Sequence, residues 1–218
     1  MIIHLNTITP QEQVIEQARD ILLEGGIVAC PTESFYGLAV DAGSEAAIQR
    51  LFSLKGRDKR HPILILIPSA ESLSKYVTCI PSVAEHLIQE FWPGGLTLIF
   101  QASAGISPLL TGGAGKIGVR LSSHPVPTAL AQSIRGPVTG TSANPSGAPP
   151  CRYADEVKAY FGKRIDLIID DGETTGETGS TVLDLTVDPP GILREGMISQ
   201  EKLENLIGKL QVGTEHTQ

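Results

Sequence analysis

The sequence is poor in cysteine and lacks long apolar runs, and each shortage excludes a class of protein. Its three cysteines, Cys30, Cys79 and Cys151, are widely spaced and odd in number, so they indicate neither a disulfide framework nor a CxxC metal or redox site. No apolar run approaches the roughly 20 residues that a membrane-spanning helix needs. The first residues carry no basic region or cleavage-like site, so no signal peptide is expected. These absences predict a cytoplasmic protein.

An overall excess of basic residues is also missing. The formal charge is −7, from 17 basic and 24 acidic residues, which argues against a protein that coats nucleic acid by bulk charge. One local cluster departs from this balance, because Lys55, Arg57, Lys59 and Arg60 lie close together. The five histidines lack the spacing of a metal site.

The chain does contain a regular alternation of helical and strand patterns. Hydrophobic residues make up 41% of the 218 positions, enough for a sizeable core. Helices are predicted at 9–24, 44–55, from 69 onwards, 81–91, 126–134, 154–161 and 199–210. Strands are predicted at 27–30, 62–67, 96–100, 117–121, 138–141, 166–169, 181–185 and 192–194. Several strands are apolar on both faces, so we predict an α/β fold in one domain, residues 1–210, with a frayed tail at 211–218.

The first helix has the clearest start signal. Thr9 as the N-cap, Pro10 at the first helical position and Glu12 form a predicted capping box. Apolar residues then recur on one helical face, and Gly25 and Gly26 are predicted to end the helix.

Two glycine-containing segments resemble known motifs only by their letters. Residues 113–118 match the GxGxxG of a dinucleotide-binding fold, but a strand pattern follows where that fold has a helix. The same segment lacks the Ser or Thr that a phosphate-binding loop carries after its lysine, because Ile117 stands there. Residues 140–144 are one glycine short of the GxSxG nucleophile elbow, since Asn144 takes the last position. Neither a dinucleotide fold nor a serine hydrolase is therefore predicted.

Three polar segments are harder to explain by structure alone. Residues 31–38 place hydroxyls in a turn after a buried strand, where Thr32 and Ser34 could simply bond their own backbone. Residues 55–61 are basic and follow a helix carboxyl end, which also favours cations for structural reasons. Residues 141–147 form a polar loop at a strand's carboxyl end, where open α/β sheets bind their ligands. Together they supply hydroxyls, cations and an amide, which suits an anionic, oxygen-rich ligand such as a nucleotide.

Six ordered motifs carry a resemblance to a known family. They are PTESFYGL, LKGR, FWPGGLT, GVRLSSHP, TSANPSG and GSTVLDL followed by ILREG. In this order they resemble the threonylcarbamoyl-AMP synthase family, also called the YrdC-like family, over residues 10–200, and residues 149–157 resemble its short bacterial members. The resemblance implies an open, twisted mixed sheet with flanking helices and a concave basic cavity. A distinct branch of the superfamily lacks the KxR and SxN elements; this chain has both, which favours the synthases.

The resemblance also implies an enzyme, a nucleotidyltransferase that makes threonylcarbamoyl-AMP and pyrophosphate from ATP, L-threonine and bicarbonate. Its product would pass to downstream tRNA-modifying proteins that form threonylcarbamoyladenosine. Mg²⁺ is expected with ATP, and no protein ligand for it can be named. One alternative is a non-catalytic RNA-binding module of the same fold, with tRNA or double-stranded RNA as partner. Another is carbamoyl transfer to a different acceptor, as in multidomain relatives.

The family's functional positions carry over onto this sequence by motif. Catalysis is expected from Lys55, Arg57, Ser142 and Asn144. ATP is expected at Arg57, His61, Asn144, Arg152 and Arg194, and L-threonine at Thr32, Ser34, Leu66, Arg120, Ser142 and Ser180. Ser34 stands where relatives often have threonine, which keeps the hydroxyl. Gly95 replaces a proline common in relatives, and Asp58 and His61 depart from the usual pattern beside the expected ATP contacts.

Overall fold

A mixed sheet forms the centre of the fold in the computed structural model, which describes residues 1–5 and 12–212. Its strands are β1 (Ile2–His4), β2 (Val28–Cys30), β3 (Gly37–Ala39), β4 (Leu64–Leu66), β5 (Leu96–Gln101), β6 (Lys116–Arg120), β7 (Val138–Ser142), β8 (Leu167–Asp170), β9 (Thr181–Asp184), β10 (Gly191–Arg194) and β11 (Gln211–Val212). The helices are α1 (Glu12–Leu23), α2 (Glu45–Lys55), α3 (Ser82–Phe91), α4 (Pro108–Thr111), α5 (Pro125–Ser133), α6 (Ala154–Phe161) and α7 (Gln200–Ile207). Short 3₁₀ turns occupy Ala70–Lys75 and Gly162–Arg164.

The strand order is β1-β8-β2-β3-β7-β4-β6-β5-β9-β10-β11. Parallel pairs such as β4 with β6 and β5 with β9 alternate with antiparallel pairs such as β3 with β7 and β4 with β7. The antiparallel β3–β7 and parallel β4–β6 pairs bring the ends of four distant segments to the middle of the sheet. This confirms the predicted α/β class and the mixed sheet.

Helices cover the two faces of the sheet unequally. Helices α2, α3, α4, α6 and α7 pack on one face around a large apolar core. On the other face, α1 and α5 bury a smaller cluster over β8, β2, β3, β7 and Leu66 of β4. Over β6 and its neighbours this second face includes partly buried residues, among them Leu64, Gly118 and Gly140. A stretch of open sheet is therefore left beside the ends of β4, β6 and β7.

Most predicted elements are confirmed, and Ser44 and Ser199 cap α2 and α7 as expected. The predicted helix after Ser69 is wrong: the segment is a 3₁₀ turn in which the Ser72 hydroxyl donates to the Ser69 carbonyl at 2.6 Å. The last helix stops at Ile207 rather than at residue 210, because Gly208 takes a φ of 84°.

Four short elements were not predicted: β1, β3, α4 and β11. Strand β11 corrects part of the expected frayed tail, since residues 211–212 pair in parallel with β10; residues 213–218 lie outside the described part of the chain. Thr9 and Pro10 of the predicted capping box also lie outside it, and Glu12 opens α1. No helix among the described residues is both long enough and apolar enough to cross a membrane.

Candidate functional site

Lys55 joins two of the three predicted polar segments. It is the last residue of α2, and Gly56 ends that helix in the left-handed conformation at a φ of 61°. The Lys55 side chain is only 3% exposed, and its Nζ donates to the carbonyl oxygens of Ser142 at 2.5 Å and Asn144 at 2.6 Å. The Ser146 backbone N–H donates in return to the Lys55 carbonyl at 2.9 Å. The basic segment and the polar loop after β7 are thus held together at the carboxyl end of β7.

Burial gives the Lys55 ammonium an unusual acidity. Removal from water is the largest cause, and the neighbouring charge of Arg57 adds to it, so the pKa of Lys55 falls from 10.5 to about 7. An anionic ligand close to Nζ would favour the charged form and raise this pKa again. We therefore expect the protonated fraction of Lys55 to increase when an anion binds.

Asn144 presents an unused acceptor in the same loop. Its Nδ2 donates to the carbonyl oxygens of Pro145 at 2.9 Å and Ala148 at 2.6 Å. Among the described residues its buried Oδ1 has no hydrogen-bond partner. An unsatisfied buried acceptor costs about 1–3 kcal/mol, and a ligand could bond this atom only if the loop opened.

The hydroxyl-containing turn lies directly beside this loop. Gly37 of β3 pairs with Ser142 of β7, and the Ala143 N–H donates to the Tyr36 carbonyl at 2.7 Å. Within the turn, the Thr32 hydroxyl lies 3.0 Å from that of Ser34 and donates to the Phe35 carbonyl at 2.7 Å. The structural role foreseen for these hydroxyls is therefore real, and the three polar segments converge in space.

Arg120 is the last residue of β6 and is almost fully buried. It pairs in register with Leu66 of the neighbouring strand, which brings these two predicted threonine contacts together. The Arg120 Nε lies 3.3 Å from Oε1 of Glu33, and the Ser122 hydroxyl donates to the other Glu33 oxygen. Sequence reasoning did not single out Glu33. Its place between Thr32 and Ser34 in the first motif was the available signal.

Ser180 and Arg194 meet at the adjoining end of β9 and β10. The Arg194 guanidinium donates from Nε to the Ser180 carbonyl at 3.0 Å and from Nη2 to the Ser180 hydroxyl at 3.1 Å. That hydroxyl also lies 2.9 Å from the Thr97 hydroxyl of β5. Desolvation and then the charge of Arg120 lower the pKa of Arg194, so both guanidiniums act on one region of the site.

The loop of residues 171–180 links Arg152 to the hydroxyl turn. Arg152 forms an ion pair with Glu173 at 2.8 Å and donates from Nε to the Thr174 carbonyl at 3.4 Å. Gly176 packs so closely on Ser34 that a Cβ there would overlap the Ser34 backbone. A cavity of about 210 Å³ lies between the turn and the loop, lined by Thr32, Glu33, His124, Asp171 and Thr174 among others.

Two predicted residues turn away from this convergence. Arg57 donates to the carbonyl oxygens of its own loop, at His61 (3.3 Å) and Pro62 (2.9 Å), and His61 is exposed. No hydrogen bond between described residues joins Arg57 or His61 to Asn144. The residues expected to contact ATP therefore do not form one bonded group, because Arg57 and His61 are not joined to Asn144 within the described part of the chain.

The open stretch of sheet forms the floor between these groups. A Cβ on Gly118 would lie 3.1 Å from the Leu64 Cβ, and one on Gly140 would overlap the Leu64 side chain, so both glycines make room for Leu64 on this face. Lys116 on the same strand as Gly118 is neutralised by Asp184 at 3.0 Å. The predicted concave basic cavity stays a prediction. Among the described residues, no group of three or more His, Cys, Asp or Glu could hold a metal ion.

Comparisons with known proteins identify the family of the chain. The family model for Sua5, YciO and YrdC, described as telomere recombination, matches residues 20–196. The threonylcarbamoyl-AMP synthase of Pyrococcus abyssi is 39% identical over 202 residues, 93% of this chain and 59% of that protein. The threonylcarbamoyl-AMP synthase of Escherichia coli strain K12 is 38% identical over 168 residues, 76% of this chain and 87% of that protein.

Solved structures give the same answer. The P. abyssi Sua5 structure complexed with L-threonine has a TM-score of 0.95 at 38% identity, covering 98% of this chain and 62% of that one. E. coli YciO has a TM-score of 0.82 at 29% identity, covering 93% and 98%. The chain spans about three fifths of the P. abyssi relative, 59% of its length. By its matched domain and its identity to these relatives, the chain belongs to the Sua5/YciO/YrdC family.

Proposed function

We propose that the protein is an L-threonylcarbamoyladenylate synthase, a nucleotidyltransferase that makes threonylcarbamoyl-AMP and pyrophosphate from ATP, L-threonine and bicarbonate. The observation that carries this proposal is the convergence at β7, where the buried Lys55 ammonium is bonded to the Ser142–Asn144 loop beside the Thr32–Ser34 turn. Relatives named threonylcarbamoyl-AMP synthase support it, as does the Sua5 structure that holds L-threonine.

The reaction needs charge neutralisation more than a covalent partner. The threonine amine attacks the carbon of bicarbonate, a C–O bond breaks and water leaves, which gives the carbamate. A carbamate oxygen then attacks the α-phosphorus of ATP and displaces pyrophosphate. Phosphoryl transfer of this kind depends on in-line positioning and on cations at the phosphate oxygens. Lys55 supplies such a cation once an anion restores its proton, and Arg57 supplies a second when it exchanges the carbonyls of its own loop for phosphate oxygens.

The amino-acid substrate would lie between β6 and β9. The terminal nitrogens of Arg120 can pair with its carboxylate in a two-pronged fashion. The hydroxyls of Ser180 and Ser34 are close enough to the same floor to bond the threonine hydroxyl. A site built to bond that hydroxyl rejects analogues that lack it, because its own polar groups would then stay unpaired.

The nucleotide would lie beside the amino acid, along the loop 171–180. Arg152 and Arg194 flank the loop 171–180 from its two ends, so both can face the phosphates of one ligand. Asn144 Oδ1 is a buried acceptor without a partner among the described residues, so its loop would have to open before the nucleotide could bond it, and His61 lies exposed on the basic segment.

The proposed reaction also requires a metal ion, a second small substrate and later enzymes. Mg²⁺ would arrive with ATP, carried by phosphates and water, and no residue is assigned to it. Bicarbonate would be the second small substrate, and later tRNA-modifying proteins would consume the product. A cytoplasmic site of action fits these substrates.

Pyrophosphate release tests the proposal. The protein is incubated with ATP, bicarbonate and Mg²⁺, with and without L-threonine, and pyrophosphate is measured through a coupled pyrophosphatase. We expect release that depends on threonine in the wild type, at least about tenfold less in Arg57→Ala, and no change in Arg19→Ala, whose partly exposed guanidinium pairs with Asp20 among the described residues. Release that is independent of threonine, or none, would reject the proposal.

A further inference from the structure

We propose that Glu33 is a positioning residue for the amino-acid substrate: its carboxylate holds the Arg120 guanidinium so that only the terminal nitrogens face the open floor. The inference rests on the proposed function, because it assigns Arg120 to the substrate carboxylate. Glu33 is not expected to touch the substrate itself. Its effect passes through Arg120.

The pair is enclosed by the protein on the Glu33 side. The side chains of Glu33 and Arg120 are 8% and 6% exposed, and Oε1 and Nε lie 3.3 Å apart. Both atoms are fully buried and lack any well-formed hydrogen bond to a described residue. They therefore form an ion pair that faces inward, and a ligand cannot reach either atom. The Oε1 atom of Glu33 is thus available to orient Arg120 and closed to the substrate.

Ser122 fixes the carboxylate from its other side. Its hydroxyl donates to Glu33 Oε2, and its oxygen in turn accepts the backbone N–H of His124 at 3.2 Å. Ser122 follows Arg120 by two residues and is itself 3% exposed, so the same segment that supplies the arginine also anchors its counter-ion. With Oε2 bonded to Ser122 and Oε1 paired with Arg120, rotation of the Glu33 carboxylate is restricted, and so is that of the guanidinium edge that faces it.

The other end of Arg120 is left for a ligand. No hydrogen bond from its terminal nitrogens to a described residue is present, whereas Nε is occupied by Glu33. Arg194 lies near enough for the Arg120 charge to lower its pKa. Two guanidiniums facing one region favour an anion there. A carboxylate matches the geometry of the two terminal nitrogens of Arg120.

The charge of Glu33 decides which kinetic constant a substitution should change. Glu33→Gln keeps the shape of the side chain but removes the negative charge, so the positive charge of Arg120 is no longer compensated. Its attraction for the substrate carboxylate is therefore not reduced. The substitution instead removes the fixed orientation of the terminal nitrogens of Arg120. A substrate held in the wrong orientation lowers the rate of the chemical step.

Steady-state kinetics with varied L-threonine tests this separation, with pyrophosphate release as the readout. For Glu33→Gln we expect kcat to fall at least about tenfold while KM for threonine does not rise. Glu90→Gln, the same change at an exposed position on α3, should leave both constants unchanged. A folded Glu33→Gln protein with kcat within about twofold of the wild type would overturn the inference. An inactive wild type would instead reject the proposed function, and this inference with it.

A second variant covers the case in which Glu33→Gln does not fold. Ser122→Ala removes one hydroxyl from the carboxylate and keeps the Glu33–Arg120 charge pair. We expect its kcat to fall roughly threefold, the equivalent of one weak hydrogen bond, with KM unchanged and the melting temperature close to that of the wild type. An unchanged kcat would overturn the inference, as would a melting temperature that falls while both kinetic constants at low temperature match the wild type.

Discussion

At the scale of single residues, Lys55 marks the limit of what the sequence could predict. Its motif predicted a role beside Ser142 and Asn144, and the structure brings the three together. Its burial, which is the main cause of the lowered pKa, could not be foreseen, because it depends on a loop 87 to 89 positions away along the chain. Glu33 escaped for a similar reason, since its partner Arg120 lies on another strand.

The lowered pKa of Lys55 predicts proton uptake when ATP binds. With a pKa of about 7, most Lys55 side chains are neutral at pH 8 in the free protein. The phosphates of ATP favour the charged form and raise the pKa, so binding at pH 8 should take up a proton. Calorimetry in two buffers of different ionisation enthalpy measures this uptake. Lys55→Met should abolish it and Lys59→Met, at an exposed position, should keep it; equal uptake in wild type and Lys55→Met would contradict the assignment.

At the scale of elements, local patterns predicted the longer helices and strands but not the short connecting pieces. Strand β3 and helix α4 have only three and four residues, too few for a periodicity to show. In the loop 171–180 the sequence identified only Ser180 as a candidate contact. The importance of the loop comes from long-range packing, because it covers the hydroxyl turn at Ser34 and joins Arg152 to Ser180.

Gly176 tests whether this loop shapes the threonine site. An alanine Cβ at this position would overlap the Ser34 backbone, so Gly176→Ala should displace the loop from the turn. We expect threonine-dependent pyrophosphate release to fall roughly tenfold or more, because small displacements of positioning groups are costly. Gly105→Ala, where a Cβ meets nothing within 4 Å, is the matched control. Equal activity of the two variants would show that the loop does not position the site.

At the scale of the whole molecule, the alternation of elements was enough to predict an α/β fold. The strand order was not predictable from local pattern, because many pairings join segments that are far apart, as in the β1–β8 register of Ile2 with Ile168. The resemblance to a family supplied the mixed open sheet that local physics could not. The open floor arises only when the faces of β4, β6 and β7 are assembled beside each other.

Net charge separates the synthase from the alternative of an RNA-binding module. A chain with a formal charge of −7 offers little general attraction for phosphate backbones. Fluorescence anisotropy with a labelled RNA stem-loop, at about 150 mM salt, should therefore show no saturable binding up to about 10 μM protein. A short polylysine peptide serves as the positive control. Tight, salt-dependent RNA binding by a protein that binds neither ATP nor threonine would favour the module instead.

The most direct test of the synthase assignment is to identify the product. The protein is incubated with ATP, L-threonine, Mg²⁺ and bicarbonate carrying ¹³C, and the quenched mixture is examined by mass spectrometry. The account predicts threonylcarbamoyl-AMP that carries the heavy carbon, formed only when threonine is present. Accumulation of ADP or AMP alone, with no adenylate that contains the bicarbonate carbon, would contradict it.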